Sequence, residues 1–266
     1  MTKANIAETF YLPSEGRIYD ETDIYGGGEI DAQVTLGPML TKHEMLRLSS
    51  RDGNQKIMAS IIDDCIIGDM GVAAYDLCLA DYTYLLYALR MVTFGSDYEM
   101  SAVCPYCGDT NEIRISMDDM PITYYSDVED KIDPTVKLSS GETVTLKLQT
   151  PRMLDTIAAK VKEHKRKRRG NKEDPTLLYT ICSSIDTIDG EEKNQFELEE
   201  LVKNLPLSDS TNLLNKIEEI NSLLGLDFDI YSECETCGSE FVTSFRVNEN
   251  FFRPVNKREP DSSTSV

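Results

Sequence analysis

Two Cys-x-x-Cys-Gly pairs constrain this chain more than any other feature. They read Cys104-Pro105-Tyr106-Cys107-Gly108 and Cys234-Glu235-Thr236-Cys237-Gly238. Each precedes an alternating run of strand type, Glu112 to Ile115 after the first and Phe241 to Phe245 after the second. A Cys-x-x-Cys ahead of a strand is a metal knuckle, and two knuckles supply the four thiolates of a tetrahedral structural zinc site. The expected ligands are therefore Cys104, Cys107, Cys234 and Cys237. The glycine after each second cysteine suits the positive φ that turns backbone N–H groups toward sulfur. One zinc ion would tie the middle of the chain to its C-terminal end.

Cys-Pro-Tyr-Cys can also spell a dithiol redox site. Such a site sits at a helix N-terminus, where the dipole lowers the thiol pKa. Gly108 to Met117 alternates like a strand and runs on to Pro121, so no helix start is available, and a second knuckle goes unexplained. Cys65, Cys78 and Cys182 lie in apolar helical patterns and read as small core residues. Seven cysteines, an odd number, with no leader pattern fit a reducing interior better than a disulfide framework. His43 and His164 are not needed as ligands, since four cysteines complete a tetrahedron.

At 266 residues the chain can bury an ample core. No stretch approaches the ~18 apolar residues that read as a membrane span. The formal charge of −20 disfavours nucleic-acid binding by the surface at large. Both knuckles have acidic flanks, Glu99, Asp109 and Glu112 at the first and Asp229, Glu233, Glu235 and Glu240 at the second. Nucleic-acid-reading ribbons need cations near the phosphates. One basic run stands against this background, Lys165, Arg166, Lys167, Arg168 and Arg169. It reads as a solvated helix end, as a contact with an acidic partner subunit, or as a nucleic-acid contact.

Pattern along the chain predicts an α+β fold: a helical core, a split four-cysteine zinc ribbon, a small β-hairpin and an extended N-terminal arm. The arm covers 1–35, with Tyr11, Tyr19 and Tyr25 set among Pro13, Gly16 and Gly26 to Gly28. A helical block follows over 36–100. Its first helix opens on a capping box at Thr41 and Glu44, with Met45, Leu46 and Leu48 starting the inward face. Ile57, Met58, Ile61, Ile62 and Cys65 repeat at helical spacing, as do Tyr84, Leu85, Ala88, Leu89 and Val92. The ribbon takes 101–120 and 229–250. Between them, 121–228 holds a hairpin about Ser140-Gly141 and helices that begin with Thr150-Pro151 and continue near 175–185, 195–204 and 209–224. Residues 251–266 read as a polar, disordered tail.

Catalytic chemistry finds little material. There is no phosphate-binding Gly-rich loop, no Gly-x-Ser-x-Gly elbow and no His-Glu-x-x-His pair. A zinc held by four thiolates keeps no open position for substrate. Neither an enzyme nor a small-molecule substrate is expected.

Several segments in order are similar to a known family. Tyr11-Leu12-Pro13-Ser14-Glu15-Gly16-Arg17-Ile18-Tyr19 resembles its opening Leu-Pro-Ser-x-Gly-x-x-Tyr. Leu40 to Glu44, Asp81 to Arg90, Phe94-Gly95-Ser96-Asp97-Tyr98 and the first knuckle follow in the same order, and the second knuckle carries the likeness further on. The chain thus resembles the baseplate hub and hub-assembly proteins of T-even-type contractile-tailed bacteriophages. That resemblance implies a non-enzymatic morphogenesis protein, present in the host cytoplasm during assembly and in the virion tail baseplate. Its partners would be other tail and baseplate proteins, with Tyr11, Tyr19 and the basic run 165–169 as contact residues. Two alternatives stand beside it: a zinc-ribbon regulator that binds nucleic acid through 165–169, and an enzyme subunit whose zinc domain docks a catalytic partner.

Overall fold

The computed structural model describes residues 7–19, 32–49, 55–167, 173–244 and 251–252. Tyr25, the Gly26–Gly28 run, Arg168, Arg169 and the polar stretch 256–266 lie outside the described residues. The architecture is α+β, with helices and small antiparallel sheets.

The N-terminal strand β1 (Glu8–Tyr11) pairs with β2 (Gln33–Leu36), Phe10 lying opposite Val34. Leu12 and Ser14, within the stretch expected as an arm, are fully buried. Helix α1 (Thr41–Ser49) follows, and here the expected inward face is corrected. Met45 and Leu48 are 69% and 61% exposed, while His43 is buried, its Nδ1 accepting the Leu40 N–H at 3.0 Å. At roughly 100° per residue, an inward His43 turns the residues two and five places on toward solvent.

Helix α2 (Gln55–Cys65) buries Ala59, Ile61, Ile62 and Cys65, and α3 (Leu79–Phe94) runs through the centre of the main core. Tyr82, Tyr84, Leu85, Tyr87, Ala88 and Leu89 of α3 are all buried, so this helix is apolar around most of its circumference. Each fully buried large aliphatic side chain is worth roughly 1.5–3 kcal/mol, which makes α3 the axis on which the rest is assembled. Strands β3 (Asp97–Val103) and β4 (Thr110–Ser116) then form the first cysteine hairpin.

Beyond it come β5 (Ile122–Thr123), the single turn α4 (Tyr125–Val128), β6 (Thr135–Lys137) and β7 (Thr143–Leu146). The helix α5 (Pro151–Lys167) starts as its sequence predicts, with Thr150 Oγ1 accepting the Met153 N–H at 3.2 Å. After α6 (Thr176–Ser184), strand β8 (Ile185–Ile188) joins β7 to make a three-stranded sheet. Helices α7 (Gln195–Asn204) and α8 (Leu207–Ser222) complete a second core around Leu146, Ile181, Leu198, Leu213 and Ile217.

The chain returns to the main core through β9 (Gly225–Leu226), which pairs with β5. Gly225 has φ 101° and lies against α3 so closely that a Cβ there would stand 3.3 Å from the Ala80 methyl. Only glycine permits both the backbone angle and the approach. That pass delivers β10 (Asp229–Glu233) and β11 (Glu240–Ser244), the second cysteine hairpin, next to the first. Phe251 and Phe252, expected in the tail, are buried in the same core. The Phe251 carbonyl accepts from Arg90 Nε at 3.1 Å.

Candidate metal centre

The two cysteine turns are built alike. In the first, the Cys104 N–H bonds the Asp109 carbonyl at 2.8 Å and the Gly108 N–H bonds the Cys104 carbonyl at 3.0 Å. In the second, Cys234 N–H to Ser239 carbonyl is 3.0 Å and Gly238 N–H to Cys234 carbonyl is 2.8 Å. Gly108 and Gly238 take φ of 80° and 68°, where a side chain would be strained. Each turn closes a hairpin whose next strand, β4 or β11, leaves no helix N-terminus beside the thiols. The dipole that a redox dithiol relies on is missing from this geometry.

All four sulfurs lie within 4.8 Å of one another, with Cys104 to Cys237 at 3.8 Å and Cys107 to Cys234 at 3.6 Å. A tetrahedron with ~2.3 Å zinc–sulfur bonds has edges of ~3.8 Å, and these two cross-hairpin edges match that size. Disulfide sulfurs would stand ~2.05 Å apart, and all four cysteines are free thiols. No other group of His, Cys, Asp or Glu ligand atoms gathers in this way among the described residues. Cys104 and Cys234 are buried, packed with Ile113, Ile230 and Phe241 in the main core, whereas Cys107 and Cys237 face outward.

Electrostatics favour a cation in the cage. The N–H groups of Cys237 and Thr236, helped by the Asn111 side chain, pull the Cys234 thiol down to about 6. Ser239, by side chain and N–H, pulls Cys237 down as well. The Asp109 N–H favours a Cys107 thiolate, yet burial and the three neighbouring sulfurs push that thiol up to about 12. Four thiolates at this spacing need a counter-charge, and a divalent ion with sulfur affinity supplies it. A zinc held here would act by cross-linking the two hairpins, with no coordination position left over.

The cysteines were legible from spacing, but one residue of the site was not. Asn111, buried on β4, accepts the Glu235 N–H on its Oδ1 at 2.9 Å and donates from Nδ2 to the Asp109 carbonyl at 3.3 Å. A lone Asn three places past a knuckle glycine carries no motif signal.

The other expected residues fall elsewhere. Tyr11 is exposed, its ring tilted against that of Tyr124 with centroids 6.1 Å apart. Tyr19 turns inward: its hydroxyl donates to Asp81 at 2.6 Å and accepts the Cys78 N–H at 3.1 Å. Ser14 donates to the same carboxylate through its N–H, at 2.9 Å, and through its hydroxyl. Burial pushes the Asp81 carboxyl up, against the pull of the Ser14 and Tyr19 hydrogen bonds. The Tyr19 hydroxyl is therefore engaged within the fold, and the residue is half-buried. Lys165 pairs with Asp174 at 3.2 Å and Lys167 with Glu163 at 2.7 Å, while Arg166 is exposed at the end of α5. No helix among the described residues is long and apolar enough to cross a membrane.

Fold and site together define an α+β protein whose distant segments converge on a four-cysteine cluster. A family model described as T4 bacteriophage base plate protein matches residues 6–253. The chain belongs to that family, a family of structural proteins of the phage tail. No curated protein and no solved structure matched it.

Proposed function

We propose that this protein is a non-enzymatic component of a contractile phage tail baseplate, acting at the hub or in its assembly through protein–protein contacts. A structural zinc ion bound by Cys104, Cys107, Cys234 and Cys237 holds its two cysteine hairpins together. The observation that carries this reading is the convergence of four sulfurs within 4.8 Å in a chain that matches a base plate family along most of its length.

Zinc in this role contributes folding energy, because the cage does not exist in the unfolded chain. The split ribbon over 101–120 and 229–250 then clamps the inserted unit 121–228 at its base. Contacts with neighbours run through the N-terminal segment, including Tyr11, and through the basic run Lys165, Arg166, Lys167, Arg168 and Arg169. Aromatic and Arg side chains are favoured anchors at protein interfaces.

The test pairs a protein inventory of purified tails and of hub assembly intermediates with metal analysis of the isolated chain. Expected are one zinc per chain and recovery of the protein from hub-containing material. A chain free of zinc that nevertheless assembles normally would remove the metal from this account. Absence from every tail intermediate would remove the hub.

A further inference from the structure

The outward face of the β10–β11 hairpin combines two features that a free surface rarely keeps together. Tyr231 and Val242 stand directly opposite each other across the two strands, 79% and 51% exposed. One step toward the turn, Glu233 faces Glu240 across the same strands, both exposed. Like charges directly opposite in a ladder destabilise it. No cation among the described residues pairs with either carboxylate, and the ion pairs among those residues lie elsewhere. These side chains line an open depression of about 470 Å³. An apolar floor with two carboxylates at its rim, unpaired among the described residues, calls for an occupant that brings positive charge on a stem able to lie against Tyr231.

The chain carries such a group itself. On a protein of net charge −20, its one dense cluster of cations is the end of α5, where Lys165, Arg166 and Lys167 are exposed. Lys165 and Lys167 hold their carboxylates in exposed pairs, which are cheap to exchange. Repulsion between two acidic chains is screened beyond a Debye length of ~10 Å, so local complementarity governs the contact.

We propose that the outward face of the β10–β11 hairpin docks the basic end of α5 from a second copy of this chain. The two surfaces differ, so the contact is head-to-tail and adds copies into a ring or a short open array. This inference rests on the reading of 165–169 as a contact region and names the acidic surface it meets.

A charge-swap experiment on the full-length, zinc-loaded protein tests it. One variant reverses the face, Glu233→Lys with Glu240→Lys; the other reverses the run, Lys165→Glu, Arg166→Glu, Lys167→Glu, Arg168→Glu and Arg169→Glu together. Sedimentation velocity should show wild-type protein associating with rising concentration, and weakening by at least about tenfold between about 0.05 M and about 0.5 M salt. Each variant alone should stay monomeric, because face and run then carry the same sign. An equimolar mixture of the two should associate again, in alternation. Glu233→Gln with Glu240→Gln, which leaves the backbone and side-chain shape intact, should weaken association in step and guards against a misfolded Lys variant. Wild-type protein that remains monomeric, variants that associate like wild type, or a mixture that stays apart would each overturn the pairing. If the run-reversed variant fails to enter tails while the face-reversed one enters normally, the acidic partner is another protein. That result refutes self-docking and leaves the role of 165–169 intact.

Discussion

Asn111 of the first cysteine hairpin reaches across to the second, its Oδ1 accepting the Glu235 N–H at 2.9 Å while its Nδ2 holds the Asp109 carbonyl. One buried amide thereby ties the two knuckles to each other. The Asn111 amide also favours the Cys234 thiolate. Hydrogen bonds behind a metal site tune its affinity as the ligands themselves do.

Replacing Asn111 by Ala should therefore weaken zinc binding by about 10–100-fold without removing a ligand. Competition with a chromogenic chelator reads the change. Affinity within about twofold of wild type would show that the knuckles are positioned without this clasp.

Cys234→Ser removes a ligand buried in the main core and should abolish stoichiometric zinc. Structural zinc can be worth on the order of 10 kcal/mol in small domains, so a loss of several kcal/mol is expected, read as a large drop in melting temperature. Chelation of the wild-type protein should give the same drop, and Cys182→Ser, in the second core, should keep its zinc. Equal zinc content and melting behaviour in Cys234→Ser and wild type would dismiss the metal staple.

Asp81→Asn should destabilise the protein by about 2–3 kcal/mol. The carboxylate accepts from Ser14 N–H, Ser14 hydroxyl and Tyr19 hydroxyl, and the amide replaces one acceptor with a donor facing those groups. Tyr19→Phe should cost less, about 1 kcal/mol, since it removes one donor to Asp81 along with the acceptor of the Cys78 N–H. Urea unfolding measures both; a neutral Asp81→Asn would mean that the N-terminal segment is held by Leu12 and β1 alone.

The Asp174 carboxyl is pulled down to about 2 by the Thr176 hydroxyl and N–H, then by Lys165. A depressed carboxyl adds stability that is present above its unfolded value of ~3.9 and is lost as pH falls through about 2. Asp174→Ala should accordingly be less stable than wild type at pH 5 and converge with it near pH 2. Parallel acid-unfolding curves offset by a constant amount would contradict this cause. The variant also frees Lys165 at the end of α5.

Helix periodicity made α2, α3 and α5 readable in advance, because each repeats apolar residues at a spacing that only a helix places on one side. The same logic misplaced α1. Its Leu and Met residues repeat as well as any, but the helix is oriented by His43, a polar residue whose Leu40 and Cys65 neighbours periodicity cannot name. Strand β8 went unforeseen for a related reason: Ile185 to Ile188 pairs with β7 only because the chain folds back onto it. The Gly- and Pro-rich stretch around Tyr19 likewise gave no sign that a buried carboxylate far along the chain, Asp81, accepts from its hydroxyl.

Local chemistry, then, was determined by sequence: thiol pairs at knuckle spacing, glycines where φ must be positive, and helices wherever apolar residues recur each turn. Apart from the two cysteine pairs, which distant groups meet was decided by tertiary structure. The pass of Gly225 against Ala80, the reach of Asn111 and the inward turn of Tyr19 all join residues widely separated along the chain. Short-range pattern is blind to such pairings, because burial selects them only when the whole core closes.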